Sequence, residues 1–119
     1  MAAHNDLGHW GEAKAAGFLE EKGYEVIEKN FKKGFAEIDL IVKKDKMLIF
    51  VEVKTRSNVS FGMPEEFVNV IKARGIMRSA ENYIFDNDWF WDVRFDIVSI
   101  LIFKDGKIDI RHIEDAFSK

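Results

Sequence analysis

A chain of 119 residues, 47% hydrophobic and 33% charged, has the composition of one globular domain spanning residues 1–119. It contains no cysteine, which excludes a disulfide scaffold, a thiol catalyst and any cysteine-ligated metal site. Its formal charge of −3 argues against coating nucleic acid over the whole surface, but that charge is unevenly spread. Residues 1–28 carry net −4, residues 29–78 net +5 and residues 79–119 net −4. The basic middle segment marks one face for a polyanionic partner. No apolar run approaches the roughly 18 residues of a membrane span, and the N-terminus shows no basic-then-apolar signal pattern. The expectation is a cytoplasmic protein with no membrane partner.

In chain order, Leu7 to Lys22 reads as a helix, capped by Asn5 or Asp6 and stopped at Gly23. Tyr24 to Phe31 reads as a strand around Val26 and Ile27, and Gly34 marks a turn. Ala36 to Lys43 and Met47 to Thr55 are the strongest strand signals, separated by the turn-like Lys44-Asp45-Lys46. Pro64 opens a helical pattern that runs to about Phe85, with Gly75 as a candidate break. Val93 to Phe103 and Lys107 to Ile113 form a second hairpin through Asp105-Gly106. The order α-β-β-β-α-β-β predicts an α/β domain with a central mixed sheet flanked by helices.

The Ala36–Thr55 hairpin carries the chemistry. A two-residue Asp45-Lys46 loop pairs Val42 with Ile49, Leu40 with Val51 and Ile38 with Val53 on one apolar face. The other face pairs Lys43 with Leu48, Ile41 with Phe50, Asp39 with Glu52 and Glu37 with Lys54. Opposed carboxylates at the ~5 Å spacing of a cross-strand pair repel, so Asp39 and Glu52 need a proton, a cation such as Lys54, or a metal ion. Oxygen ligands so placed suit a hard divalent ion such as Mg²⁺. The plainer alternative is an exposed sheet face with a ladder of ion pairs, Glu37–Lys54 being one rung.

The first helix adds a third acid. Glu12 lies on a stripe with Gly8, Ala15, Ala16 and Leu19, and the small residues Gly8, Gly11, Ala15 and Ala16 would let this helix approach a sheet closely. A nuclease site accounts for the set. Asp39 and Glu52 would hold Mg²⁺, or Mn²⁺ in its place, and Glu12 would join them. Lys54 would position the attacking water and balance charge growing on the phosphorus. Basic residues of the middle segment, Lys32 and Lys33 among them, would hold the phosphate backbone.

These residues also match a family. The string Gly8-x-x-Gly11-Glu12-x-x-Ala15, Gly23-Tyr24, Asn30-Phe31, Glu37-Ile38-Asp39-Leu40-Ile41, Phe50-Val51-Glu52-Val53-Lys54-Thr55-Arg56, Phe61-Gly62-x-Pro64, Lys72 and Arg94-Phe95-Asp96 falls in order along nearly the whole chain. It resembles the YraN-type family of small endonuclease-like proteins, within the PD-(D/E)xK or restriction-endonuclease-like superfamily. It is also similar to the archaeal Holliday-junction resolvases, which are compact and dimeric. The resemblance implies an αβββαβ core, a metal site of Glu12, Asp39 and Glu52 with the Val53 carbonyl, and catalysis by those acids with Lys54. It implies phosphate contacts from Arg56 and Lys72, DNA as partner and a homodimer, and a domain too small to read much sequence alone points to branched or structured DNA as substrate. The chain departs from the pattern at Ala36, where glycine is usual, at Lys32, where arginine is usual, and at Ile38, which replaces the proline that names the motif.

Two other function classes stay open at this point. One is a non-catalytic nucleic-acid-binding or accessory module on the same scaffold. The other is a structural partner protein using Trp89-Phe90-Trp91, a cluster that reads first as aromatic packing over a sheet edge. His4, His9 and His112 have no metal-ligand spacing.

Overall fold

The computed structural model describes residues 3–33, 36–57 and 70–117. Its centre is the predicted hairpin. Strands β2 (Glu37–Lys44) and β3 (Met47–Ser57) meet across the Asp45-Lys46 turn, where Asp45 takes a φ of +55°. Lys44 faces Met47, Val42 faces Ile49 and Leu40 faces Val51, the expected register. Strand β1 (Glu25–Lys32) lies antiparallel on the outer side of β2, and β4 (Asp92–Ile102) lies parallel to β3 along its full length. Strand β5 (Ile108–Ile113) closes the sheet antiparallel to β4, giving the order β1-β2-β3-β4-β5. This is the predicted α/β class, a five-stranded mixed sheet compatible with a restriction-endonuclease-like core.

Helix α1 (Ala3–Glu21) covers one face of the sheet, where Ala15, Ala16 and Leu19 pack on Leu40, Val42, Ile49, Val51, Val98 and Ile100. The helix begins earlier than the predicted Leu7, and Asn5 and Asp6 fall within it. Its end follows the prediction: Gly23 takes φ +95°, and Tyr24 N–H bonds back to the Leu19 carbonyl at 3.0 Å. Helix α2 (Val70–Asp86) covers the other face, packing Ile76 and Ala80 on Ile38, Ile41, Leu48 and Phe50. It runs unbroken through Gly75. The predicted helix start at Pro64 and the Gly34 turn lie outside the described residues.

Three expectations change. The second hairpin face is not an exposed ladder of ion pairs, because α2 buries Ile41 and Phe50 completely. The Glu37–Lys54 rung does not form: Lys54 stands opposite Ser99 of β4, and Glu37 opposite Lys32 of β1. Ile38 packs on the α2 side instead of beside Leu40 and Val42. The cause is a fork. The β2–β3 ladder runs only as far as Leu40–Val51, and Asn30 of β1, at φ +52°, sits between the Lys29–Leu40 and Phe31–Ile38 pairs. The flanking pairs keep one register across Asn30, and the register shift of β1 on β2 lies between Val26 and Glu28. Trp89 packs into the α2-side core as expected, with its indole N–H on the Asp92 carbonyl at 2.9 Å, whereas Phe90 and Trp91 are exposed.

One glycine decides how closely α1 sits. A Cβ on Gly11 would fall 2.0 Å from Thr55 Oγ1 and 3.1 Å from Thr55 Cβ, so only glycine lets the helix meet β3 there. Gly8, also on the small-residue stripe, has nothing within 4 Å of such a Cβ. Gly11→Ala should therefore destabilise the fold by about 1–3 kcal/mol through overpacking, although alanine is the better helix former. Denaturant midpoints check this, with Thr55→Ala expected to restore part of the loss. A more stable Gly11→Ala would mean that α1 is seated elsewhere.

Candidate active site

The fork in the sheet makes the site. Where β2 leaves β3, the Val53 N–H donates to Asp39 Oδ2 at 2.8 Å. The carboxylate is thus anchored where the two strands separate. A cleft of about 480 Å³ opens there. Leu7, Gly8 and Glu12 of α1 line it, with Ala36, Glu37 and Asp39, the run Glu52 to Arg56, and Lys72 of α2.

Glu12 reaches this cleft because Gly11 brings its helix turn against Thr55. Asn30 joins two of the acids, donating from Nδ2 to Glu12 Oε1 at 3.0 Å and to Glu37 Oε2 at 2.6 Å. Carboxylate oxygens of Glu12, Glu37 and Asp39 all lie within 4.8 Å of one another. Glu52 is 3% exposed and answered by cations: Lys54 Nζ is 3.5 Å from Oε2, and Lys72 Nζ forms a tighter ion pair with the same oxygen.

The electrostatics follow from that crowding. Burial first, then the charge of Glu52 and hydrogen bonding to it, and last the charge of Glu12 push the Asp39 carboxyl up to about 8, against the lowering effect of the Val53 N–H. Burial and the neighbouring Lys72 pull Lys54 below the ordinary lysine range, although Glu52 opposes them. Burial would lower Lys72 as well, but its contacts with Glu52 and Lys54 outweigh that and raise it. An all-oxygen donor set crowded enough to hold a proton at neutral pH fits a hard divalent cation, which would replace that proton.

The structure brings Glu12, Asp39, Glu52, Val53, Lys54, Arg56 and Lys72 to one cleft. Lys32 and Lys33 do not line it; both are exposed on the β1 side, and Lys33 pairs with Asp86. Glu37 is the acid that sequence reasoning left out of the site. Its spacing from Asp39, two residues along a strand, was the available signal. A separate network accounts for the Arg94-Phe95-Asp96 string. Fully buried Asp96 accepts from Arg94 Nε at 2.8 Å and Nη2 at 2.9 Å, lies 2.7 Å from His112 Nε2, and takes the Asp115 N–H at 3.0 Å. It ties β4 to β5 and the following turn, and does not line the cleft.

Comparison with known proteins agrees with the string of motifs. The model of the uncharacterised protein family UPF0102 matches residues 11–100. A UPF0102 protein of Flavobacterium psychrophilum is 43% identical, with 98% of each chain covered. UPF0102 proteins of Syntrophomonas wolfei and Bacteroides thetaiotaomicron are each 44% identical, covering 96% and 98% of this chain and 99% and 96% of their own.

The raised Asp39 has a consequence for stability. Between the ordinary value of 3.8 and about 8 the folded protein keeps a proton that the unfolded chain has released. Stability therefore falls as pH rises through that window. In EDTA, the melting temperature should drop from pH 5 to pH 8.5, and Asp39→Asn should flatten the drop. Mg²⁺ should raise the melting temperature more at pH 8 than at pH 6, because at pH 6 it competes with the bound proton. An equal Mg²⁺ gain at both values would contradict the shared acid site.

Proposed function

The chain belongs to the uncharacterised protein family UPF0102, and on that footing we propose that its cleft is the active site of a metal-dependent nuclease hydrolysing DNA phosphodiesters. The observation that carries this reading is the crowding of Glu12, Glu37, Asp39 and Glu52 beside Lys54 in one open cleft. A surface that only bound phosphate would do better without acids facing it. Glu12, Glu37 and Asp39 would hold Mg²⁺ or Mn²⁺, with Glu52 next to them. The ion, when bound, supplies polarisation of the phosphodiester and a lowered pKa for water.

The protein's own groups do the rest. Asp39 is fixed by the Val53 N–H, and Glu12 and Glu37 by Asn30, so the acid oxygens are placed before any ligand arrives. Lys54, mostly buried and held near Glu52, orients the attacking water and offsets the charge that builds on the non-bridging phosphoryl oxygens. The water oxygen forms the new bond to phosphorus as the bond to the leaving sugar oxygen breaks. Lys72 neutralises Glu52 and keeps that acid from repelling the incoming phosphate. Arg56, which also lines the cleft, would meet a neighbouring phosphate.

No described helix is long and apolar enough to cross a membrane. The DNA substrate, structured or branched DNA in particular, the homodimer and the cytoplasmic location belong to the proposal.

Purified protein should cleave at least one of branched, single-stranded or duplex DNA in Mg²⁺ or Mn²⁺ and lose that activity in EDTA. Asp39→Asn and Lys54→Ala should each lower the rate on the order of 10²-fold or more. Cleavage indifferent to both substitutions would remove the site assignment. Binding without cleavage in every metal would leave a nucleic-acid-binding module.

A further inference from the structure

Helix α2 carries a second feature that the hydrolytic chemistry does not use. Ile71, Arg74, Gly75 and Arg78 stand at positions i, i+3, i+4 and i+7, which aligns them along one side of the helix. This side faces away from the buried Ala73, Ile76, Met77 and Ala80. Together with Ala36 and Lys72 they line a groove of about 470 Å³. Ala36 and Lys72 also line the acid cleft, so the two depressions share a wall.

The groove is built into the fold. Fully buried Ser79 holds the Ala36 backbone from both sides, accepting its N–H at 3.1 Å and donating to its carbonyl at 2.7 Å. Asn82 donates to the Lys33 carbonyl at 2.9 Å. Gly75 lies so close to Ala36 that a Cβ there would meet the Ala36 Cβ at 3.2 Å. A glycine inside a helix is less favourable than alanine, and here it permits close seating of α2 beside the start of β2.

The composition of the groove identifies its occupant. Its lining combines apolar surface from Ala36, Gly75 and Ile71, which is 82% exposed, with three cationic side chains, Lys72, Arg74 and Arg78. Cations next to a hollow of apolar surface suit a nucleotide whose base is out of the stack: phosphates meet the arginines, and the base and sugar cover the aliphatic surface without an aromatic platform among the lining residues. A duplex keeps its bases stacked inside and would leave that surface bare. We propose that this groove holds a single-stranded stretch of nucleic acid leading to or from the phosphodiester in the acid cleft. The inference rests on the nuclease reading of the cleft and narrows its substrate to one with an unpaired segment beside the cleaved bond.

The test is fluorescence anisotropy with a labelled twelve-nucleotide oligothymidine and a blunt duplex of equal length, using the full chain with Ca²⁺ in place of Mg²⁺. Wild-type protein should bind the single strand more tightly. Arg74→Ala with Arg78→Ala should weaken that binding roughly 25-fold at 0.1 M salt and flatten the log–log salt slope by about 1.4, from two lost phosphate contacts. Arg74→Lys with Arg78→Lys should keep most of the affinity. Ile71→Ser should weaken it several-fold at unchanged slope. Unchanged melting temperatures confirm that the variants fold. Equal or tighter binding of the duplex, no binding of the single strand, or indifference to the double alanine variant would overturn the inference. Duplex cleavage that ignores Arg74 and Arg78 removes this proposal and leaves the nuclease reading standing. Single-strand binding through these arginines without cleavage in any metal does the reverse.

Discussion

The site depends on one hydrogen bond, from the Val53 N–H to the Asp39 carboxylate. Strand β3 can keep β2 as its neighbour or let it go, and past Leu40–Val51 it continues with β4 alone. The Val53 N–H must still find an acceptor, since a buried unpaired amide costs about as much as a lost hydrogen bond. Asp39 supplies it from the strand that leaves. A structural debt at the fork is thereby settled by the same side chain that the chemistry uses, and the acid is locked where Glu12, Glu37 and Glu52 crowd it. The resulting repulsion is what a cation would relieve.

Two helices complete the site from opposite faces. Gly11 allows α1 to touch Thr55 and so delivers Glu12, while α2 delivers Lys72 to Glu52. Neither helix brings its charge by packing an amphipathic stripe alone. Glu12 depends on the missing side chain of the residue before it. The Ser79 grip on Ala36 holds α2, which carries Lys72, against the start of β2 just ahead of Glu37. Site geometry and helix docking are therefore one problem, and a substitution that shifts either helix should disturb the acids without touching them.

Much of this was legible in the residues. The hairpin register could be read because Leu40, Val42, Ile49 and Val51 alternate with Ile41, Leu48 and Phe50, and a one-residue slip would break both sets. Asp39, Glu52 and Lys54 stood out as charges within apolar strands, and Glu12 as an acid on a stripe of small residues. The fork was not legible. Two-strand reasoning extends a ladder until a turn stops it, whereas here β2 parts from β3 beyond Leu40–Val51 while β4 holds the other edge of β3 along its full length. That is why pairing these two strands alone puts Glu37 opposite Lys54, outside the acid cluster, and Ile38 on the face of Leu40 and Val42. The groove on α2 was hidden for a similar reason. Arg74 and Arg78 counted only as part of a basic segment until the helix was seen against Ala36.

Anomalous diffraction from crystals soaked in Mn²⁺ tests the central claim most directly, because it locates the ion without reference to any activity. The account predicts a manganese peak in the cleft, bound by oxygens of Asp39 and of Glu12 or Glu37. A soaked crystal with manganese only elsewhere on the surface, or with a cleft whose acids hold no ion at a pH above that of Asp39, would contradict it.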